Sequence, residues 1–183
     1  KSGDFSPYLL KSSDRGANWS SIRGDLPDRT LVWRIVQDHV KPGLLFAGTE
    51  FGLFFSPNSG KAWVKLEGGV PTISFRDLAI QKRENDLVGA SFGRGFFVLD
   101  DYTALRTVSD DQLASEATLF PARDARWYIP RDRGDGFLGA NRYVAPNPKF
   151  GALFTYYLKD GLKTKEDIRQ ASEESLLTSG KDI

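Results

Sequence analysis

The chain has no cysteine and no methionine, and one histidine among 183 residues. Without thiols there are no disulfides and no thiolate metal sites, and one imidazole cannot assemble a zinc site or a Ser-His-Asp triad with the partners in view. A chain with no methionine is expected to be a piece of a longer protein or a processed form. Long apolar runs are missing too. No stretch nears the roughly 20 residues that a spanning helix requires, and the opening KSGDFSPYLL lacks the basic-then-apolar order of a signal peptide. Membrane insertion is therefore not expected. Nor is either sign of charge in excess: a net charge of +1 gives no basic footprint for nucleic acid.

What is present points to β structure. With 40% hydrophobic residues the chain can bury a domain core. Thirteen Phe, six Tyr and four Trp favour pleated surfaces, and eighteen Gly punctuate turns. One phrase occurs twice: SSDRGANW (Ser12–Trp19) and SPNSGKAW (Ser56–Trp63) both read Ser-x-(Asp/Asn)-x-Gly-x-x-Trp. Short strand-like runs flank each copy, PYLLKSS and ANWSSIRG around the first, GLFFSPN and KAWVKLEGG around the second, so each octet is expected at the turn of a hairpin.

A longer repeat contains these hairpins. VWRIVQDHVKPGLLFAGTEFGLFF and FRDLAIQKRENDLVGASFGRGFF share apolar positions, a small-residue second strand, a Gly-containing loop and an aromatic third strand. The period is about 43 residues, in the range of four-stranded propeller blades. One complete unit is expected at Leu31–Gly69, the last two strands of another before it, and a third over Phe75–Val108. Two and a half such units do not close a ring of 4–8 blades.

In the octet each residue has a structural task. The Asp or Asn side chain accepts hydrogen bonds from its own turn, Gly supplies the positive φ, and Trp folds over the hairpin. Because Asn58 replaces the Asp in the second copy, a charge-dependent role is disfavoured. Ser12, Asp14, Gly16 and Trp19, with Ser56, Asn58, Gly60 and Trp63, are therefore assigned to structure.

With these octets, the stretches GDFSPYLLKSSDRGANW, LLFAGTEFGLFFSPNSGKAW, RDLAIQKRENDLVGASFGRGFFVLDD, LFPARDARW and NPKFGALFTYYLKD carry a resemblance. The chain resembles the Asp-box, or bacterial neuraminidase repeat, propellers of sialidases, xyloglucan-degrading glycosidases and sortilin-type receptors. It is most similar to large secreted bacterial proteins labelled sortilin-like or putative glycosyl hydrolase, whose last blades run into an immunoglobulin-like region. The resemblance implies an all-β fold: propeller blades over residues 1–118, an irregular connecting segment over 119–150, and the start of a further β domain or tail over 151–183. It also implies a secreted, periplasmic or cell-surface location. The function implied is binding of a polysaccharide or of a peptide or protein ligand, beside the remaining blades of the parent chain. The alternatives are a glycoside hydrolase with its carboxylates mostly elsewhere, or a sortilin-like peptide binder. No catalytic residue is transferred, and no cofactor or metal is expected.

Blade geometry places the octet turns on one side and the second-to-third-strand and inter-blade loops on the other. That second side gathers Glu50, Phe51, Arg76, Phe92 and Arg94, in which aromatic rings can stack on a ligand while charged groups bond its edges. The same residues also suit packing between blades. Arg34, Arg76 and Arg94 match no sialidase arginine motif, and Glu50 with Asp77 is the one carboxylate pair that position singles out.

The remaining patterns are weak. GDGFLG (Gly134–Gly139) lacks the strand-and-helix setting of a dinucleotide site, and Asp132 with Asp135 lacks calcium-loop spacing. Arg-Gly-Asp at Arg23–Asp25 and Arg133–Asp135 is too short to imply integrin binding. Asn18-Trp19-Ser20 is a glycosylation sequon that matters only in a eukaryotic secretory host. His39 is expected in a solvated loop. In the tail, Thr164 with Asp167 is a helix-start signal and Gly180 a stop.

Overall fold

The computed structural model describes residues 3–125, 127 and 150–179. Gly134–Gly139, Asp132, Asp135, Arg133–Asp135 and Gly180 lie outside the described residues. The chain forms two compact units, Lys1–Ser109 and Asp110–Ile183. The fold is all-β in class, with antiparallel pairing in every sheet among the described residues.

The first unit holds three sheets in chain order. Sheet A pairs β1 (Leu10–Lys11) with β2 (Ser20–Ser21). Sheet B runs β3 (Val32–Gln37), β4 (Leu45–Thr49), β5 (Gly52–Ser56) and β6 (Val64–Lys65), each strand beside the next. Sheet C runs β7 (Phe75–Gln81), β8 (Asp86–Ser91) and β9 (Phe96–Leu99).

Sheet B is covered on both sides, which is why β4 and β5 read as unbroken apolar runs rather than alternating ones. Phe46 and Phe55 are cross-strand partners, and with Leu44 and Leu53 they meet Phe75, Leu78 and Leu87 of sheet C. Ala47 and Phe54, also partners, join Leu45 and Trp63 against Leu9 and Leu26. A Cβ on Gly48 would stand 2.8 Å from the Phe75 carbonyl, so a bare backbone at this position lets the two sheets approach.

The sequence places a third four-stranded unit over Phe75–Val108, but the described strands of sheet C number three. After β9 the chain turns into a 3-10 helix, Tyr102–Arg106. Asp101, at φ 46°, caps it by accepting from the Thr103 amide, and no octet follows to form a hairpin.

A buried ion pair accounts for that helix. Asp38, 2% exposed at the end of β3, accepts from the Tyr102 hydroxyl (2.6 Å), from Arg106 Nε and Nη2 (2.8 Å each) and from the Lys41 amide (2.7 Å). Arg106 also donates to Asn85 Oδ1 at 2.7 Å, and Lys41 Nζ to the Arg106 carbonyl at 2.7 Å. The Asp38–Arg106 pair thus ties the loops after β3 and β7 to the helix. Burial alone would push the Asp38 carboxyl up, but the bonds from Arg106, Tyr102 and Lys41 outweigh it and hold it well below the usual carboxylate range. Burial, then the bond to Asp38, pushes the Tyr102 phenol up. His39 places Nδ1 3.5 Å from Asp38 Oδ1.

In the second unit, α1 (Asp110–Ala114) precedes β10 (Ala117–Leu119), which pairs with β11 (Tyr156–Leu158). The 14-residue α2 (Lys165–Thr178) starts as its sequence predicts: Thr164 Oγ1 accepts from the Asp167 amide at 3.1 Å, and Asp167 accepts from the Thr164 amide at 2.8 Å. No described helix is long and apolar enough to cross a membrane.

Because the Asp38 pKa is lowered in the folded chain, the carboxylate stabilises the fold fully above about pH 4 and loses that effect as pH falls toward the depressed value. Asp38→Asn leaves the Arg106 charge without its counter-ion and should cost about 3–5 kcal/mol. The variant should also flatten the fall in melting temperature below pH 4. Denaturant titration and a pH series of melting curves check both; a slope equal to the parent's would remove Asp38 as its source.

Candidate functional site

Two β-bulges build the most distinctive surface of the first unit. Val32 faces Thr49 and Arg34 faces Gly48, so Trp33 is the extra residue of one ladder; Phe75 faces Ser91 and Asp77 faces Ala90, so Arg76 is the extra residue of the next. A bulge re-aims the side chain that it inserts. The two re-aimed groups meet, with the Arg76 guanidinium 3.7 Å from the centre of the Trp33 ring and 5.3 Å from that of Phe92.

Glu50 completes the group. Its Oε2 accepts from Trp33 Nε1 at 2.8 Å and lies 3.8 Å from Arg76 Nη2. It stands on the β4–β5 turn, which Thr49 shapes: Oγ1 donates to the Gly52 carbonyl and accepts from the Phe51 amide. Ser91 does the same work in the β8–β9 turn by donating to the Gly95 carbonyl at 2.8 Å. The inter-sheet segments are tied in by backbone bonds from Glu50 to Leu31 and from Phe92 to Ser74. Trp33, Phe51 and Phe92 remain exposed.

Three of the five residues placed on this face by sequence meet: Glu50 and Arg76 lie 3.8 Å apart and the Arg76 guanidinium lies over Phe92, while Phe51 is exposed on the β4–β5 turn. Arg94 is exposed on the β8–β9 turn and takes no part in the stack. Trp33, the extra residue at the start of β3, is the member of the stack that is not among those five. Arg34 is held by Asp77 at 3.1 Å, so the three arginines do not converge on one point. Exposed cation–π contacts and ion pairs are each worth about 0.5–1 kcal/mol, so the cluster contributes only modestly to stability. Among the described residues, no three His, Cys, Asp or Glu side chains are grouped to hold a metal.

The octets form the same turn twice. Ser12 Oγ accepts from the Gly16 amide at 2.7 Å, and Ser56 Oγ from the Gly60 amide at 2.8 Å. Asp14 Oδ1 accepts from the Asn18 amide and Asn58 Oδ1 from the Ala62 amide, both at 2.9 Å. A neutral amide thus does what the carboxylate does. The Asn18 backbone and side-chain amides hold the Asp14 carboxyl down at about 2. The Asn18 side-chain amide, through Nδ2, donates to Asp14 Oδ2. Left-handed pairs close both turns, Arg15–Gly16 and Ser59–Gly60.

Their tryptophans differ. Trp63 is 7% exposed and Trp19 62%. Over Trp63 lies a strap, Ile22–Leu26: the Ile22 carbonyl accepts from Trp63 Nε1 at 3.2 Å and Asp25 Oδ1 from the Trp63 amide at 2.6 Å. This strap contains the first Arg-Gly-Asp, whose Arg23 bonds Asp28 at 2.7 Å. Two of the tripeptide's three residues are thus bonded within the fold, Arg23 to Asp28 and Asp25 to the Trp63 amide.

No family model and no curated protein matches the chain.

Gly60 and Gly16 separate turn from strap. Both have positive φ and share the penalty of about 1 kcal/mol for gaining a Cβ. At Gly60 that Cβ would also stand 2.5 Å from the Ile22 carbonyl, whereas at Gly16 it meets only Trp19, at 3.7 Å. Gly60→Ala should therefore destabilise by about 1–3 kcal/mol more than Gly16→Ala. Equal losses by denaturant titration would show that the strap does not depend on this close approach.

Proposed function

We propose that the first unit belongs to an Asp-box β-propeller of an exported protein and that the Trp33–Arg76–Phe92 surface, with Glu50 and Phe51, recognises a carbohydrate. The observation that carries this reading is the exposed aromatic–arginine stack set by two equivalent bulges. Repetition of the octet at about 44 residues, on hairpins of matching register, supports the propeller. Exposed rings can lie on the apolar faces of pyranose units while Arg76 and Glu50 bond the hydroxyl edges. A polypeptide ligand would use the same groups, its side chains on the rings and its carbonyls on Arg76. A glycoside hydrolase would need paired carboxylates, and Glu50 and Asp77 are bonded instead to Trp33 and Arg34.

The test is glycan-array and polysaccharide binding by the chain, with Phe92→Ala and Arg76→Ala alongside. Either variant should weaken binding about tenfold or more, as loss of a recognition anchor does, at an unchanged melting temperature. Release of reducing ends, diminished by Glu50→Gln, would make the surface part of a glycosidase cleft. Binding of extended peptides with no glycan binding would move the assignment to a polypeptide ligand.

A further inference from the structure

The open face of the first octet hairpin is the strongest unassigned surface. Sheets A and B share one register: Leu10 faces Ser21 and Lys11 faces Ser20, as Phe54 faces Lys65 and Phe55 faces Val64. Position for position, Leu10 corresponds to Phe54 and Trp19 to Trp63. Phe54 and Trp63 are buried beneath Ile22–Leu26, while Leu10 is 57% exposed and Trp19 stands clear. Trp19 Nε1 donates to its own turn, to the Gly16 carbonyl at 3.0 Å, where Trp63 Nε1 donates to the strap.

The strap recurs as well. IRGDLP (Ile22–Pro27) is followed one period later by LEGGVP (Leu66–Pro71). Gly24 packs against the octet backbone so closely that a Cβ would stand 2.5 Å from the Gly60 and Lys61 carbonyls. Gly68 and Gly69 of the second strap have nothing within 4 Å of such a Cβ, and sheet C offers no octet to that strap. Strap and octet are therefore a matched pair: among the described residues the second octet has its strap, the first octet lacks one, and the second strap lacks an octet.

We infer that the exposed Leu10–Trp19 face is a docking site for an extended strap of Ile-x-Gly-Asp-Leu type from a further repeat. Four features of the occupant follow from the occupied copy. A carbonyl takes the Trp19 indole N–H; a carboxylate accepts the Trp19 amide; a glycine permits contact at Gly16; and an apolar residue on either side covers Leu10 and the indole. The inference concerns a different surface from the carbohydrate site and does not rest on it.

The chain's own strap supplies the probe. A synthetic peptide with the sequence of residues 20–28 is titrated into the 183-residue chain, and the indole N–H signals are followed by NMR, with Trp19→Phe identifying the Trp19 resonance. A saturable shift of the Trp19 indole and the Gly16 amide is expected, with a Kd on the order of 1 mM and the Trp63 signal unmoved. The Asp25→Ala peptide should bind about tenfold more weakly, and because only the peptide is altered, folding of the chain is not at issue. No shift, an equal shift with the Asp25→Ala peptide, or displacement at Trp63 instead would each overturn the inference. So would a Trp19 shift on dilution without peptide, which would assign the face to a second copy of the chain.

Discussion

Burial of sheet B on both faces is the constraint on which the first unit depends. Phe46 and Phe55 point one way, Ala47 and Phe54 the other, and each set needs a separate apolar partner. Sheet C supplies Phe75, Leu78 and Leu87 to one side; Leu9, Leu26 and Ile22 supply the other. A strand with no solvent face cannot slip by one residue without exchanging these two sets, so pairing register and sheet stacking fix each other. The close approach at Gly48 follows from the same demand, since two sheets that share a core must come near enough to exclude water.

Polar groups then secure what apolar contact leaves free to slide. Apolar faces are non-directional, whereas Asp38 with Arg106 and Tyr102 is a set of bonds with one geometry. It lies at the loop end of the sheet B–C interface, and the bulges lie toward the other end. There the inserted Trp33 and Arg76 meet because equivalent ladders carry equivalent bulges on neighbouring sheets. A surface feature that joins two repeats is in this way generated by the repeat itself. Its rings stay partly exposed, which sets it apart from the packed aromatics of the core.

Much of this arrangement was legible along the chain. The sheet B strands, both octet turns and the α2 capping box follow from local patterns: apolar runs bounded by turn residues, Ser-x-(Asp/Asn)-x-Gly, and Thr164 three residues before Asp167. Three of the five residues assigned to the candidate surface, Glu50, Arg76 and Phe92, fell together because alternation of loop sides follows from antiparallel order. The 3-10 helix after β9 was not legible, since its cause is Asp38, 68 residues from Arg106. Trp33 escaped because a bulge has no strong local signature. The strap could have been found by extending the repeat past the octet tryptophan, where IRGDLP meets LEGGVP.

By itself the sequence determined where strands, turns and the helix start lie, because those depend on hydrogen bonds and side-chain spacing within a few residues. Only the tertiary structure decided which equivalent residues differ in fate. Trp19 and Trp63 stand in the same turn with the same backbone, yet one is open and one is covered. Exposure belongs to whatever lies across the face, and the partner groups, Ile22 and Asp25, are 41 and 38 residues from Trp63 in the chain.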